Sequence, residues 1–180
     1  MPDYLDSLTP LTLKVLEFFF AASRAEFHER EVIRLAKVSK GSANKILRRL
    51  AGLALLIRTQ RGRMVFYKLN EADSRVKQLK ILNNVWILHN FVAENEERMR
   101  KMILFGSSAA GTNIGESDYD ILFLTDQKTG LKDRISLFNR IHVRKISPII
   151  VDMNEFIKMK REDKPLFERI DRGIVLWETA

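Results

Sequence analysis

Residues 101–124 constrain this chain more than any other stretch. The apolar run Lys101-Met102-Ile103-Leu104-Phe105 breaks at Gly106-Ser107-Ser108-Ala109-Ala110-Gly111. After Thr112-Asn113-Ile114-Gly115-Glu116-Ser117 the chain returns through Asp118-Tyr119-Asp120 into Ile121-Leu122-Phe123-Leu124. Short apolar runs bounded by glycine read as buried strands, so the segment predicts a strand, a Gly-Ser turn opening a short helix, and a second strand. Asp118 and Asp120 are two apart and project from one face of that second strand. Two carboxylates held so close repel unless a cation lies between them, and hard oxygen ligands of this kind favour Mg2+ bridged to phosphates. Unpaired N–H groups and a hydroxyl at a Gly-Ser helix start suit the phosphate itself. Gly106, Ser107 and Ser108 are therefore the candidate phosphate binders, and Asp118 and Asp120 the candidate metal ligands and catalytic acids.

The remainder of the chain narrows the class. With 180 residues, 46% of them apolar and 30% charged, it lies in the globular range. No apolar run approaches the roughly 18 residues of a membrane span, and the start, Met1-Pro2-Asp3-Tyr4, lacks the form of a signal peptide. The expectation is a cytoplasmic protein with no membrane partner. The absence of cysteine excludes disulfides and thiolate zinc sites. Positive charge is uneven: residues 1–70 hold thirteen basic and six acidic side chains, and from Val32 to Asn70 there is no carboxylate at all. An acid-free basic segment is the footprint of a polyanion-binding module.

That segment has its own pattern. Thr9-Pro10 reads as a helix start, with Leu13, Leu16, Phe19 and Phe20 at helical spacing. A second helix fits Glu29 to Ala36, and Ser39 caps a third running to about Leu50 whose buried stripe is Ala43, Ile46, Leu47 and Leu50. Lys40, Asn44, Lys45, Arg48 and Arg49 then face outward, with Ser42 near the start. Leu53 to Arg58 and Met64 to Leu69 read as strands joined by Gln60-Arg61-Gly62-Arg63. Three helices and a basic-tipped hairpin in this order resemble the winged helix-turn-helix family over residues 10–70. The resemblance implies double-stranded DNA as partner, with the third helix in the major groove and Arg61 and Arg63 on the wing reaching backbone or minor groove.

Asp73 or Ser74 begins a long helix through about Glu97. Its apolar residues, among them Leu79, Leu82, Val85, Trp86 and Val92, wrap more than one face. The pattern predicts burial on two sides, by bridging domains or by a homodimer seam through residues 74–98. His89, Asn83, Asn84 and Asn90 read as hydrogen-bonded packing residues.

Gly-Ser, ten residues and Asp-x-Asp, set between apolar strands, are similar to the signature of the DNA polymerase β-like nucleotidyltransferase superfamily, and the short last domain is similar to its minimal antitoxin members. The resemblance implies a two-metal Mg2+ site and a nucleoside triphosphate substrate, with ATP expected. The acceptor would be a HEPN-type toxin or another protein hydroxyl. Three departures stand out. Ser108 and Ala110 hold positions where the family often carries basic residues, which leaves phosphate neutralisation to others such as Lys128, Arg134 or Arg140. Tyr119 replaces a smaller aliphatic residue. The third carboxylate of the family falls in Ile146-Ser147-Pro148-Ile149-Ile150-Val151-Asp152, where either Asp152 completes the catalytic set or Ser147 holds the acid position. The two point to opposite faces of a strand. In the tail, Lys164-Pro165 separates two helices, Gly173 reads as a helix C-cap, and Phe167, Ile170 and Trp177 read as core.

Together these readings predict an α+β protein: a winged helix over 1–70, a linker or dimerisation helix over 71–100, and a nucleotidyltransferase domain with a small mixed sheet flanked by helices over 101–180. A DNA-binding nucleotidyltransferase, acting as an antitoxin-like regulator, is one functional expectation. A regulator that keeps the fold and binds nucleotide or a partner without catalysis is the other.

Overall fold

The Thr9 hydroxyl accepts a hydrogen bond from the Thr12 N–H at 3.3 Å, and Pro10 occupies the first helical turn. Both features stop the chain from extending the helix backwards, so α1 spans Pro10–Ala21. In the computed structural model, which describes residues 7–179, the chain divides into two units, residues 1–78 and 79–180. The division falls inside the expected linker.

The first unit continues with β1 (Glu26–His28), α2 (Glu29–Leu35), α3 (Lys40–Gly52), β2 (Leu56–Arg61) and β3 (Met64–Leu69). The Ser39 hydroxyl caps α3 by accepting from Ser42 N–H at 3.2 Å. The expected stripe of Ala43, Ile46, Leu47 and Leu50 is buried. On α1, Val15 takes the inward place expected of Leu13, which is exposed. Leu53 and Ala54 are not strand: Leu55 N–H bonds back to the Leu50 carbonyl at 2.9 Å and Ala54 adopts a left-handed φ of 58°, so the helix end consumes them. The hairpin turn is Gly62-Arg63, with Gly62 at φ 61°. A further strand that the apolar pattern did not reveal, β1, pairs antiparallel with β3 and makes the sheet order β1-β3-β2.

α4 spans Ser74–Asn95. Within the single chain Leu82 is 53% and Trp86 75% exposed, and His89 and Asn90 are exposed as well, so these residues are not buried by the chain itself. Of His89, Asn83, Asn84 and Asn90, Asn84 is the one buried with partners, while Lys80 and Asn95 of the same helix are buried and donate to the Asn113 and Phe91 carbonyls. The second unit then runs β4 (Lys101–Phe105), α5 (Gly106–Ala110), β5 (Tyr119–Leu124), α6 (Lys128–Ile141), β6 (Ile146–Val151), α7 (Met153–Glu162), α8 (Lys164–Asp171) and β7 (Ile174–Glu178). Its sheet order is β6-β5-β4-β7, with β5 and β6 parallel and the other pairs antiparallel. The parallel pair is connected by α6, as a parallel pair must be connected by a crossover.

Both sheet faces are covered, which explains why β4 and β5 are continuous apolar runs. One face buries Met102, Leu104, Tyr119, Ile121 and Phe123 under Leu88 and Phe91 of α4 and Leu131, Ile135 and Phe138 of α6. The other buries Ile103, Phe105, Leu122, Leu124 and Val151 against Ile170 of α8, with Phe156 and Met159 of α7 packed alongside. Each fully buried side chain of this size contributes roughly 1.5–3 kcal/mol, so the central strands are the rigid part of the unit. Gly173 is not the left-handed cap that its position suggested. A Cβ there would stand 2.5 Å from the Leu104 carbonyl oxygen, so glycine lets the chain lie against β4. Among the described residues no helix is long and apolar enough to cross a membrane.

Candidate functional site

Strand parity decides what gathers at the end of this sheet. Phe105 pairs with Asp120 across β4 and β5, and Asp120 pairs with Ser147 across β5 and β6. Asp120 therefore shares a face with Leu122 and Leu124, and Ser147 stands beside it with its side chain on that same face. Asp118 lies just before β5 and is exposed, while Asp120 is half-buried. Gly106 meets Asp120 closely: its φ is 68°, and a Cβ on it would come within 2.5 Å of Asp120 Oδ2. Only glycine provides that backbone conformation and that clearance together. Ser107 follows at the start of α5, half-buried.

No hydrogen bond or ion pair from a described residue reaches either the Asp118 or the Asp120 carboxylate. Two neighbouring carboxylates that no hydrogen bond or ion pair from a described residue satisfies, facing a backbone turn stripped of side chain, are a donor set that fits a hard divalent cation, and the charge of Arg144 acts on Asp118 without pairing with it. The fit is limited. Among the described residues no three His, Cys, Asp or Glu side chains converge, so the two-metal arrangement expected from the resemblance lacks its third acid.

Asp152 does not supply it. Its carboxylate caps α7, accepting from Glu155 N–H at 2.9 Å, while Glu155 returns the bond to the Asp152 N–H. The Lys128 ammonium lies 3.1 Å from Asp152 and also pairs with Glu155. The Glu155 N–H, then Lys128, holds the Asp152 carboxyl below the usual carboxylate range. Asp152 closes the far end of β6, five residues beyond Ser147, and is spent there on capping. Lys128 is engaged at that end by both carboxylates.

Ser108 also has a different place from the one expected. It is fully buried, its hydroxyl accepts from Arg144 Nη2 at 2.7 Å, and it donates to the Asp118 carbonyl at 3.3 Å. Arg144 is the residue that sequence reasoning missed. From the turn between α6 and β6 it donates through Nε to the Ser117 carbonyl at 2.7 Å and through Nη1 to Asn84 Oδ1 at 2.8 Å. Its guanidinium lies 3.9 Å from the Tyr119 ring centroid, which gives the unexpected tyrosine a partner. Burial lowers the Arg144 pKa from its ordinary value, with Tyr119 and Asp118 opposing, and burial pushes the Tyr119 hydroxyl up. An arginine beside Lys145 in the short connection between α6 and β6 carries no spacing signal, so only the fold could reveal it.

On the first unit the basic residues divide by partner. Lys40, Lys45, Arg48 and Arg63 are exposed, and no described residue pairs with them. The others are engaged. The Asn44 amide donates to Glu29 Oε2 at 2.9 Å, Arg49 Nε donates to the Ser7 hydroxyl at 2.9 Å, and the Ser39 hydroxyl donates to Ser42 at 2.9 Å. Arg61 pairs with Glu26 at 2.7 Å and lies over the Phe66 ring. The acids that engage Asn44 and Arg61 precede the acid-free segment and fold back onto it.

Comparisons with known proteins bear on the second unit. No curated protein matches the chain. A solved structure from Sulfolobus solfataricus, described as a candidate nucleotidyltransferase, is 19% identical, covers 59% of this chain and 90% of its own, and superposes with a TM-score of 0.38. The family described as Polymerase beta, Nucleotidyltransferase matches residues 88–180. That match takes in more than half of the chain and every element from β4 to β7, and the protein belongs to this nucleotidyltransferase family.

Proposed function

We propose that the second unit binds a nucleoside triphosphate, with ATP the expected one, and transfers its nucleotidyl group to a hydroxyl on a protein acceptor. The observation that carries this reading is the pair of carboxylates, Asp118 and Asp120, that no described residue hydrogen-bonds or ion-pairs, beside the side-chain-free turn at Gly106. Asp118 and Asp120 would hold a divalent cation. That cation, when bound, neutralises the polyphosphate and the charge developing during transfer. The backbone N–H groups of Gly106 and Ser107 and the Ser107 hydroxyl orient the phosphates. The acceptor hydroxyl oxygen bonds to the α-phosphorus and gives up its proton to water, the bond to the bridging oxygen breaks, and pyrophosphate leaves with the electron pair. Incubation with labelled triphosphates and Mg2+, followed by detection of label on protein, tests it; label that never leaves the triphosphate refutes transfer.

A second reading is favoured by one observation. Ser147, not an acid, pairs with Asp120, so a triphosphate could be held without the acceptor hydroxyl being activated, and the unit would act as a nucleotide sensor. Binding without label transfer selects this reading.

We further propose that the first unit binds double-stranded DNA as a winged helix, in an antitoxin-like or operator-binding role, with a HEPN-type toxin or a second copy of the chain as candidate partners. Support comes from the helix and strand order around α3 and from the exposed Lys40, Lys45, Arg48 and Arg63, with which no described residue pairs. Because each neutralised phosphate contributes a slope of about 0.9 in log affinity against log salt, replacing Lys45 and Arg48 with alanine should flatten that slope by about 2. An unchanged slope removes the assignment. Arg61→Ala should matter less, since Arg61 already pairs with Glu26.

A further inference from the structure

The charge that α5 lacks is supplied from elsewhere in the chain. α5 carries Ser108 and Ala110 and no basic residue, yet a guanidinium reaches its buried side from the turn before β6. We infer that Arg144 is the positioning residue of the nucleotide site: it fixes the backbone that presents Asp118 and locks α5 against that backbone.

The geometry for this is specific. The peptide of Ser117 leads directly into Asp118, and its carbonyl oxygen accepts from Arg144 Nε at 2.7 Å. The Asp118 carbonyl accepts from the Ser108 hydroxyl, whose own acceptor site is filled by Arg144 Nη2. Asp118 is thus held through the peptide groups on both of its sides, and both restraints originate at one side chain. The third arm meets Asn84 Oδ1, and the Asn84 amide donates in turn to the Ser108 carbonyl at 2.9 Å and to Asn113 Oδ1 at 3.2 Å. The far end of the loop, Asn113, is tied into the same network. Ser108, Asn84 and Asn113 are buried to within 3%, so at these three residues the donors are not readily replaced by water. The flat guanidinium, stacked on Tyr119, is the only common side chain with donors in a rigid fork. A lysine there keeps the charge but reaches these acceptors one geometry at a time.

The inference rests on the proposed nucleotide site, and its test separates the two. Affinity for Mn2+ with a non-hydrolysable ATP analogue is measured by calorimetry for the wild type, Arg144→Lys, Arg144→Met and Ser108→Ala, alongside hydrogen exchange of residues 112–119 without ligand. Outer-shell partners of a metal site commonly control affinity by about 10–100-fold. Both Arg144 variants should lose affinity on that scale and exchange faster through residues 112–119. Ser108→Ala should lose less, and combining it with Arg144→Lys should add little, because the two act through one contact. Full affinity in Arg144→Lys would assign the effect to charge alone and overturn the positioning role. Unchanged exchange through residues 112–119 would overturn it whether or not nucleotide binds. A wild-type protein that binds no Mn2+–nucleotide would instead bring down the site, and this inference with it.

Discussion

The β5–β6 ribbon has acids at both ends, and they serve opposite purposes. At the start of β5, Asp118 and Asp120 face a glycine, and no described residue forms a hydrogen bond or ion pair with either carboxylate, Arg144 acting on Asp118 only through its charge. At the end of β6, Asp152 and Glu155 share a reciprocal capping box and the Lys128 ammonium. Both ends are partly open to water, so burial does not distinguish them. Partnership does. A carboxylate whose lone pairs are filled by backbone N–H groups and an ammonium is part of the scaffold, whereas one left empty beside a turn is ready for a ligand.

The strongest way to break this comparison is to neutralise each end in turn. Asp118→Asn with Asp120→Asn should abolish Mg2+-dependent triphosphate binding in calorimetry while leaving the fold intact, and Asp152→Asn should leave that binding within about twofold, since a scaffold contact far from the ligand couples weakly to it. Equal losses at both ends would erase the distinction. Next in size is Gly106→Ala. The left-handed φ alone costs about 1–2 kcal/mol, and the added methyl also meets Asp120 Oδ2, so binding should fall with the melting temperature. Ser147→Asp sharpens the comparison from the other side. An added charge-assisted contact is worth about 1.5–3 kcal/mol, so divalent-cation affinity or transfer rate should rise roughly tenfold or more; no gain would mean that Ser147 does not face the ligand.

The smallest effect is the pH dependence of the far end. Lys128 holds Glu155 below its ordinary pKa, and the capping N–H and Lys128 hold Asp152 below its own, while Lys128 is raised by Glu155 first and Asp152 second. Depressed carboxyls contribute stability that is present above the unfolded values of 3.8 and 4.5 and disappears as pH falls through the folded ones. The raised ammonium contributes below 10.5 and is lost as pH rises through its folded value. The stability difference between wild type and Lys128→Met should therefore form a plateau across neutral pH and vanish in acid and in strong base. A flat difference would contradict the ion-pair role.

Much of this was legible in the residues. Alternation of apolar residues and glycine punctuation are local signals, and they located β4, the turn at Gly106 and the Asp-x-Asp pair within a residue or so. Thr9 and Ser39 announced their helices because capping is a local bond. What the sequence left open was set by register and by long-range pairing. Whether Ser147 or Asp152 stands near Asp120 depends on how β6 slides along β5, which no single strand encodes. The neutralisation of Arg61 by Glu26 and the engagement of Asn44 by Glu29 depend on chain reversal, so an acid-free stretch overstated the free positive surface. Trp86 and Leu82 are open in the single chain for a related reason: periodicity records which side chains can be buried, not by what.

Gly173 carries one more consequence. By letting the backbone lie against Leu104, it brings β7 onto the outer rim of β4, the strand that ends at the Gly106 turn. Strand rims left bare recruit other chains. A bulky residue at 173, or a cut made just after α8, should turn this protein sticky before it turns inactive, with fibril-like self-association as the first symptom.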